Sequence, residues 1–300
     1  MVTLKSGEQL ECLVVAVDER QVKLRRGAEG VSETRELPRS EITEIRLSTP
    51  DVSGFRSVAR RFDSSRWTRE ATEAWREVCV LRPEGAPDQL KLAQAYRRAG
   101  RLDDAAAAAS TAAKADPQNA RVPLEQGEIA LAAGDGPSAV KWARLHLRLG
   151  PSDLTEGTWL LGRSLELSGL ADDALLEYRS LLRADPRNWD VIDRFIELAL
   201  TQKKTEQALP EIERLTQAAP DERSPWIALG KLLYRLDRLP EAEASFRKAT
   251  GLGGADYNRA RVYFQCTLAR RYGRRPEAVL SAADVTVAAE LDPVLRRASP

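Results

Sequence analysis

The sequence has few residues of the types that hold metals or form disulfides. It contains three cysteines, Cys12, Cys79 and Cys266, which are far apart and lie in apolar stretches, and its single histidine is His146. A structural zinc site needs four cysteine or histidine ligands, usually with closely spaced pairs, and the sequence has no C-x-x-C pair. We therefore expect reduced cysteines in the core, and no metal or other cofactor.

An excess of one charge and long apolar runs are also missing. The 300 residues include 46 basic and 45 acidic side chains, a net charge of +1, so no global field attracts nucleic acid or an acidic membrane. No run approaches the roughly 18 apolar residues of a membrane span, and no basic segment followed by an apolar one opens the chain. These absences predict a cytoplasmic protein, or an exported one if a signal peptide is missing from this chain.

A recognisable catalytic constellation is missing too, since the sequence has no nucleophile–base pair, metal cluster or phosphate-binding loop. The glycine-rich segment 251–254 lacks the Lys-Ser/Thr that would follow in such a loop. His146 falls where small residues pack in the repeat described next, so we expect it to be a partly buried structural residue. The protein is predicted not to be an enzyme.

What the sequence does contain is a repeat of about 34 residues, marked by an alanine and by a proline. The fixed period indicates stacked supersecondary units, which build extended binding surfaces rather than closed catalytic pockets. The recurring residues are Ala71, Ala105, Ala139, Ala174, Ala208, Ala242 and Ala278, and Pro83, Pro117, Pro151, Pro186 and Pro220.

One unit, residues 223–254, carries the fullest pattern, which includes Trp226 at position 4, Leu229 and Gly230 at positions 7 and 8, and Ala242 at position 20. This pattern resembles the tetratricopeptide repeat (TPR). The resemblance covers about four fifths of the chain and implies a mainly α fold, a right-handed TPR α-solenoid of about seven helix-turn-helix repeats. The predicted array, residues 52–293, consists of units 52–83, 86–117, 120–151, 155–186, 189–220, 223–254 and 259–293, and residues 294–300 form a tail.

The pattern also has a physical reason. Two antiparallel helices that pack closely need a small residue on each at the crossing, and positions 8 and 20 supply one each, as Gly230 and Ala242 do. Pro276 marks the expected start of the second helix in the last unit. The glycines that suit a left-handed turn between the two helices are Gly100, Gly134, Gly169 and Gly273.

In the TPR fold the first helix of each pair faces a concave groove, and the resemblance places positions 2, 5, 9, 12 and 13 in it. Such a surface suits an extended peptide or a partner helix, held by aromatic anchors and charge-assisted hydrogen bonds. The alternative for any one of these residues is a solvated charged face. The predicted peptide-binding residues are Arg56, Arg60, Gln94, Arg97, Arg98, Trp159, Arg163, Lys231, Tyr234, Arg235, Tyr263 and Arg270.

Four of these residues, Trp159, Arg163, Tyr234 and Arg235, are the predicted anchors. The acidic pair Asp193 and Glu197 interrupts the mainly basic lining. TPR proteins that bind acidic chaperone C-termini carry Lys and Asn at positions 5 and 9 of a groove-forming unit, and no unit of this sequence has that pair. The sequence therefore does not support a chaperone co-factor role.

Residues 1–48 alternate between apolar and polar positions instead, which predicts about five short strands in a small all-β barrel-like domain. Segment 2–7 loosely resembles the first Sm motif, but Cys12 and Lys23 depart from it. The segment is also similar to SH3-like β-modules that precede TPR arrays in some bacterial proteins.

The linker is predicted at residues 49–54, where turn residues are frequent. We expect the β-domain to be independent of the array. The alternative is that it covers the first unit through Phe55, Val58 and Phe62.

The leading functional hypothesis is a non-catalytic protein–protein interaction scaffold that uses the TPR groove. A second hypothesis is an RNA-binding helical-repeat protein, which the balanced charge argues against. A third is a regulatory fragment of a larger multidomain protein. The sequence does not predict the partner, the pathway or the oligomeric state.

Overall fold

The computed structural model describes residues 2–10, 13–18, 20–26, 33–45, 52–252 and 257–292. Cys12, linker residues 49–51, the Gly253–Gly254 pair, Pro293 and the predicted tail lie outside the described residues. The chain divides into two compact units, unit 1 from Met1 to Leu160 and unit 2 from Leu161 to Pro300.

Six short strands form two three-stranded antiparallel sheets within the described residues, in the orders β2-β1-β6 and β3-β4-β5. Val22 and Leu37 are opposite each other in β4 and β5 and are buried, whereas the next pair, Lys23 and Glu36, forms an exposed ion pair of 3.0 Å. This is the alternation of a sheet with one buried face. The strands are β1 (Val2–Leu4), β2 (Gln9–Leu10), β3 (Leu13–Val17), β4 (Gln21–Arg26), β5 (Glu33–Pro38) and β6 (Ile42–Ile45).

The rest of the fold is helical, with fourteen α-helices in the described residues. Two consecutive helices fall within each of the first six predicted units, and the last pair begins at Tyr257, before the predicted start of the seventh unit at residue 259. None of the described helices is long and apolar enough to cross a membrane. The helices are α1 (Val52–Ser64), α2 (Thr68–Leu81), α3 (Ala86–Arg98), α4 (Leu102–Ala115), α5 (Arg121–Ala132), α6 (Gly136–Arg148), α7 (Thr155–Leu167), α8 (Ala171–Ala184), α9 (Trp189–Thr201), α10 (Thr205–Ala218), α11 (Arg223–Arg235), α12 (Leu239–Gly251), α13 (Tyr257–Arg271) and α14 (Ala282–Leu291).

The turn inside each pair contains one residue in the left-handed region. Four of these residues are the predicted glycines, Gly100, Gly134, Gly169 and Gly273, with φ between 67° and 77°. The other three are Arg66, Lys203 and Asp237, with φ of 59°, 56° and 58°. An L-residue with a side chain is strained there, so these three turns end their helices at a cost that glycine avoids.

The small residue at position 8 makes room for an aromatic ring. A Cβ atom added to Gly162 would lie 2.5 Å from the Tyr178 ring, and one added to Gly230 would lie 2.5 Å from the Phe246 ring. Both rings belong to the second helix of the same pair. The aromatic ring at position 24 therefore leaves no space for a side chain at position 8. The small residue at position 20, which the sequence analysis paired with position 8, is a second and separate requirement.

The last pair departs from the predicted register. The six earlier alanines at position 20 are buried, but Ala278 is exposed and lies in a short 3₁₀ helix, Pro276–Ala278. Helix α14 begins only at Ala282, where the side chain of Ser281 accepts a hydrogen bond from the Asp284 amide. The prediction that Pro276 starts the second helix was wrong, because a serine cap further along sets the start of α14.

The sheets share one apolar core with the first helix pair, so the predicted independent β-domain has no separate core. Phe62 and Trp67 pack with the buried residues of both sheets, and Val58 contacts the same cluster, whereas Phe55 belongs to the core of the repeats. The structure thus has the alternative arrangement, in which the strands cover the first unit. Helix α1 also begins at Val52, so the last three residues of the predicted linker are helical.

Polar contacts fix the same junction. The Trp67 indole Nε1–H donates to the Asp18 carbonyl at 2.7 Å, and the Ser65 hydroxyl donates to the Val17 carbonyl at 2.5 Å. Arg39 forms a 2.7 Å ion pair with the buried Glu70 carboxylate and lies over the Trp67 ring. Buried polar groups that find partners in this way fix the orientation of the packed parts.

Candidate binding surface

Three arginines predicted to line the groove in unit 1 are bound by carboxylates of the same unit. Arg97 on α3 forms a fork with Glu125 on α5, with Nε to Oε1 at 2.7 Å and Nη2 to Oε2 at 3.2 Å. Arg56 on α1 forms a similar fork with Asp88 on α3. Glu125 and Asp88 are each only 4% exposed, so these pairs join neighbouring repeats.

Arg98 is the third of these arginines. Its Nη1–H donates to the Asp63 carboxylate at 2.9 Å, and that carboxylate also accepts the Trp75 indole N–H at 2.8 Å. Of the other two predicted residues in unit 1 helices α1 and α3, Arg60 is exposed and Gln94 accepts a hydrogen bond from Lys91. The bonded arginines therefore hold neighbouring helices together.

Helix α7 carries the predicted anchors Trp159 and Arg163, and both side chains are half-buried. Their role as anchors stays a prediction.

Tyr234 and Tyr263 were predicted to face a ligand, but both are buried in unit 2. The Tyr234 hydroxyl donates to Asp292 at 2.9 Å, and the Tyr263 hydroxyl donates to Glu290 at 2.6 Å. Burial raises the pKa of both phenols, and the Glu290 carboxylate raises that of Tyr263 further. They were misplaced because helix α14 and the residue after it supply acceptors over these tyrosines, and a repeat pattern that fails in the last unit does not predict this.

Two more predicted residues pack near the same end of unit 2. Arg270 lies 4.6 Å over the Tyr234 ring and forms a 2.9 Å ion pair with Asp237. The Arg235 Nε–H donates to the Leu291 carbonyl at 2.9 Å. Arg235 remains exposed and also lines the cavity described next.

Unit 2 contains an open cavity of about 610 Å³, which we call the unit 2 cavity. Its charged lining comes from the first helices of four successive pairs, α7, α9, α11 and α13, and from α14. Four of the charged residues are acidic and four are basic, so the lining has no net charge. They are Glu166, Asp193, Glu197 and Glu290, and Arg194, Lys231, Arg235 and Arg259.

Most of these charges form ion pairs, three of which join different helices and one of which lies within α9. Arg194 contacts Glu166 at 2.7 Å and Glu197 at 3.4 Å. Arg259 lies between Asp193 at 3.8 Å and Glu290 at 3.4 Å. Each carboxylate therefore has an arginine partner.

Lys231 differs from the other cations of the cavity. Its side chain is 9% exposed, and among the described residues neither a hydrogen bond nor an ion pair within 4 Å is formed by its ammonium group. Burial lowers the pKa of this ammonium, and the more distant carboxylates of Asp193 and Glu290 partly offset that effect. A buried charge without a direct partner is costly for a fold, so Lys231 is the most unusual ionisable group of the lining.

Two of the predicted residues, Lys231 and Arg235, line one cavity together with the acidic pair Asp193 and Glu197, and their role in binding stays a prediction. The sequence analysis missed Arg194, Arg259 and Glu290. Arg194 and Arg259 occupy positions 6 and 1 of their units, outside the positions that the resemblance assigns to the groove. The available signal was an acidic residue on another helix of the same region, Glu166 for Arg194 and Glu290 for Arg259.

Comparisons with known proteins agree with this architecture. The family model of the tetratricopeptide repeat matches residues 90–153 and 194–257. The C-terminal part of a TPR repeat-containing protein from Cytophaga hutchinsonii superposes with a TM-score of 0.58 at 14% identity, over 80% of this chain and 95% of that one. This likeness concerns the fold alone.

Among curated proteins, DnaJ homolog subfamily C member 3 is 32% identical over 88 residues in Rattus norvegicus and 31% identical over 88 residues in Homo sapiens. Each match covers 29% of this chain and 18% of the relative, so the chain spans less than a fifth of those proteins. The family match and the shared fold support the coarse prediction: the protein is mainly α, and its residues 90–153 and 194–257 match the tetratricopeptide repeat.

Proposed function

We propose that the protein is a non-catalytic interaction scaffold that binds a peptide segment or a partner helix along the first helices of its repeats. The observation that carries this proposal is the unit 2 cavity, to which four successive first helices contribute side chains. A surface of this kind recognises an extended ligand through several repeats at once.

The size and chemistry of the cavity support a segment of a protein rather than a flat protein face. A volume of about 610 Å³ accommodates a few side chains. The lining offers guanidinium donors, carboxylate acceptors and the hydroxyl and amide groups of Thr201 and Gln202, which suit the polar backbone and side chains of a peptide.

Site-specific photo-crosslinking tests this function. A photoreactive residue replaces Glu197 on α9, at the cavity, or Glu213 on α10, which is exposed and outside the cavity lining. We expect the Glu197 variant to form covalent adducts with a binding protein from the source cells, identified by mass spectrometry, and the Glu213 variant to form few. Equal labelling at both positions would place the partner elsewhere and contradict the proposal.

An RNA-binding function is the weaker alternative. The cavity has four acidic and four basic groups, and seven of the eight charged residues have a partner among the described residues. Nucleic-acid binding draws most of its affinity from clustered positive charge, which this lining does not provide. A regulatory role within a longer protein remains compatible with the scaffold proposal.

For residues 1–48 we propose an SH3-like or Sm-like barrel that ends before helix α1. Support comes from the two small antiparallel sheets, from the buried alternation in β4 and from the single core that they enclose with Phe62 and Trp67. An experimental structure of the full chain would test whether the two sheets close into one barrel.

A further inference from the structure

Lys231 lines the unit 2 cavity with a charge that the described residues leave without a direct partner. The ammonium group has three N–H donors, and the side chain is nine-tenths buried. Every carboxylate of the lining is already held, Glu166 and Glu197 by Arg194, and Asp193 and Glu290 by Arg259. The cavity thus offers one largely buried ammonium group that none of its own carboxylates contacts within 4 Å.

We propose that the unit 2 cavity binds a carboxylate of the partner peptide and that Lys231 Nζ donates to this carboxylate. The inference rests on the proposed scaffold function and specifies the chemistry of the ligand. The carboxylate comes from an acidic side chain or from the C-terminus of the partner, since both present the same group.

A carboxylate satisfies Lys231 better than any other common peptide group. It accepts charge-assisted hydrogen bonds and supplies the opposite charge, which offsets the cost of burying the ammonium. A basic ligand would leave Lys231 without an acceptor and would compete with Arg194 and Arg259 for the carboxylates that they already hold. An apolar ligand would exclude water from the ammonium without replacing its hydrogen bonds.

More cations lie beyond Lys231 in one direction. Arg235 lies one helical turn further along α11, and it also lines a second cavity of about 400 Å³ together with Lys203, Lys204 and Glu206, where Lys204 already pairs with Asp172. Leu200 belongs to both cavities, so they adjoin. Lys203 and Arg235 therefore offer further donors to an acidic residue next to the one that Lys231 binds.

Selection from random peptide libraries tests the inference. One library displays short peptides with free C-termini, and the other displays the same random segment within a longer chain. We expect peptides with aspartate or glutamate at one recurring position to be enriched from at least one library. Acidic enrichment in both libraries identifies a side-chain carboxylate, and enrichment only with free C-termini identifies the terminal group.

The variant Lys231→Met separates binding from folding. Methionine has a similar length and no charge, so the fold is expected to remain intact, which circular dichroism and the thermal midpoint would check. The exposed residue Lys248 on α12 lies outside the cavity lining, and Lys248→Met is the matched control for the loss of one positive charge. We expect an enriched acidic peptide to bind Lys231→Met at least about tenfold more weakly, and Lys248→Met with unchanged affinity.

The outcomes distinguish this inference from the scaffold proposal. Enriched peptides without acidic preference, bound equally by Lys231→Met, would overturn the carboxylate inference and leave the scaffold standing. The carboxylate inference would also fail if replacing the acidic residue by its amide left the affinity within about twofold. If no peptide is enriched from either library, both proposals are contradicted.

Discussion

The two compact units use basic side chains at the repeat positions assigned to the groove in opposite ways. In unit 1, Arg56 and Arg97 on the first helices are each forked onto a buried carboxylate of the next repeat. In unit 2, Lys231 lies on a first helix as well, but it lines an open cavity without such a partner.

The difference teaches that a repeat position fixes where a side chain lies and leaves its role to the neighbouring helix. In the repeat after Arg56, position 3 is Asp88, and its carboxylate accepts both hydrogen bonds of the Arg56 guanidinium. Around Lys231 the carboxylates are taken by arginines. Groove residues of a repeat protein are therefore to be judged by their partners as well as by their position.

The largest expected effect concerns the apolar core that the strands share with the first helix pair in unit 1. Trp67→Ala removes a ring that stacks on Phe62 at 5.7 Å between centroids and donates to the Asp18 carbonyl. We expect a loss of about 3–5 kcal/mol in the free energy of unfolding, measured by denaturant titration. Trp189→Ala, at an exposed tryptophan of unit 2, should cost less than about 1 kcal/mol. Similar losses in both variants would contradict the shared core.

The second prediction tests the arginines of unit 1 that are bound to buried carboxylates. Arg97→Met leaves the buried Glu125 carboxylate without its fork, so we expect unfolding to become easier by about 3 kcal/mol. The exposed Arg60 is the control, and Arg60→Met should change stability by less than about 0.5 kcal/mol. If the two variants unfold alike, the fork is a surface contact and the comparison between the units fails.

The third prediction has the opposite sign. Lys231→Met removes a largely buried charge without a direct partner, so the protein should not lose stability. We expect the free energy of unfolding at neutral pH to stay equal or to rise by up to about 1 kcal/mol, and the thermal midpoint to change in the same direction. A clear loss of stability, absent from Lys248→Met, would show that Lys231 serves the fold as the unit 1 arginines do.

A pH series sharpens that result. The folded pKa of Lys231 lies below its ordinary value of 10.5, so between these two values the unfolded chain binds more protons and stability rises with pH. Lys231→Met lacks this gain. The stability advantage of the variant should therefore be full below the folded pKa and disappear as pH approaches 10.5. An advantage that stays constant across this range would contradict the lowered pKa.

The smallest expected effect concerns the second cavity beside Lys231. Lys203→Gly relieves a left-handed residue with φ of 56° and should stabilise unit 2 by about 0.5 kcal/mol. The matched test in unit 1 is Gly100→Ala, which introduces the same strain at φ of 74° and should destabilise by a similar or larger amount. If Lys203→Gly also lowers the affinity for an acidic peptide, Lys203 contributes to binding although its backbone conformation lowers the stability of the fold.

Local signals in the sequence predicted much of this fold. Glycine at 100, 134, 169 and 273 marked the turn within a helix pair, and all four have positive φ. Alanine at position 20 marked the buried crossing in six units. These signals succeed because a tight turn and a close crossing each restrict the residue type at one position.

Features that depend on distant partners were not predictable in the same way. Trp67 reads as an ordinary helix-flanking residue until strands from positions far away in the chain pack on it. Tyr263 reads as a groove residue until α14 brings Glu290 over its hydroxyl. The position of Lys231 without a direct carboxylate partner likewise depends on how Arg194 and Arg259 pair with the carboxylates of other helices, which no single repeat encodes.

The shared core of the strands and the first helix pair has a consequence for synthesis. The strands leave the ribosome before α1 and α2, but Val2, Val22 and Leu37 bury their side chains together with Phe62, Trp67 and Ala71. Later repeats fold mainly against their neighbours, whereas the contact between Val17 and Ser65 spans 48 positions. The side chains of these strands can therefore complete their core only after α1 and α2 emerge, and until then a nascent chain exposes apolar strand faces that can associate wrongly.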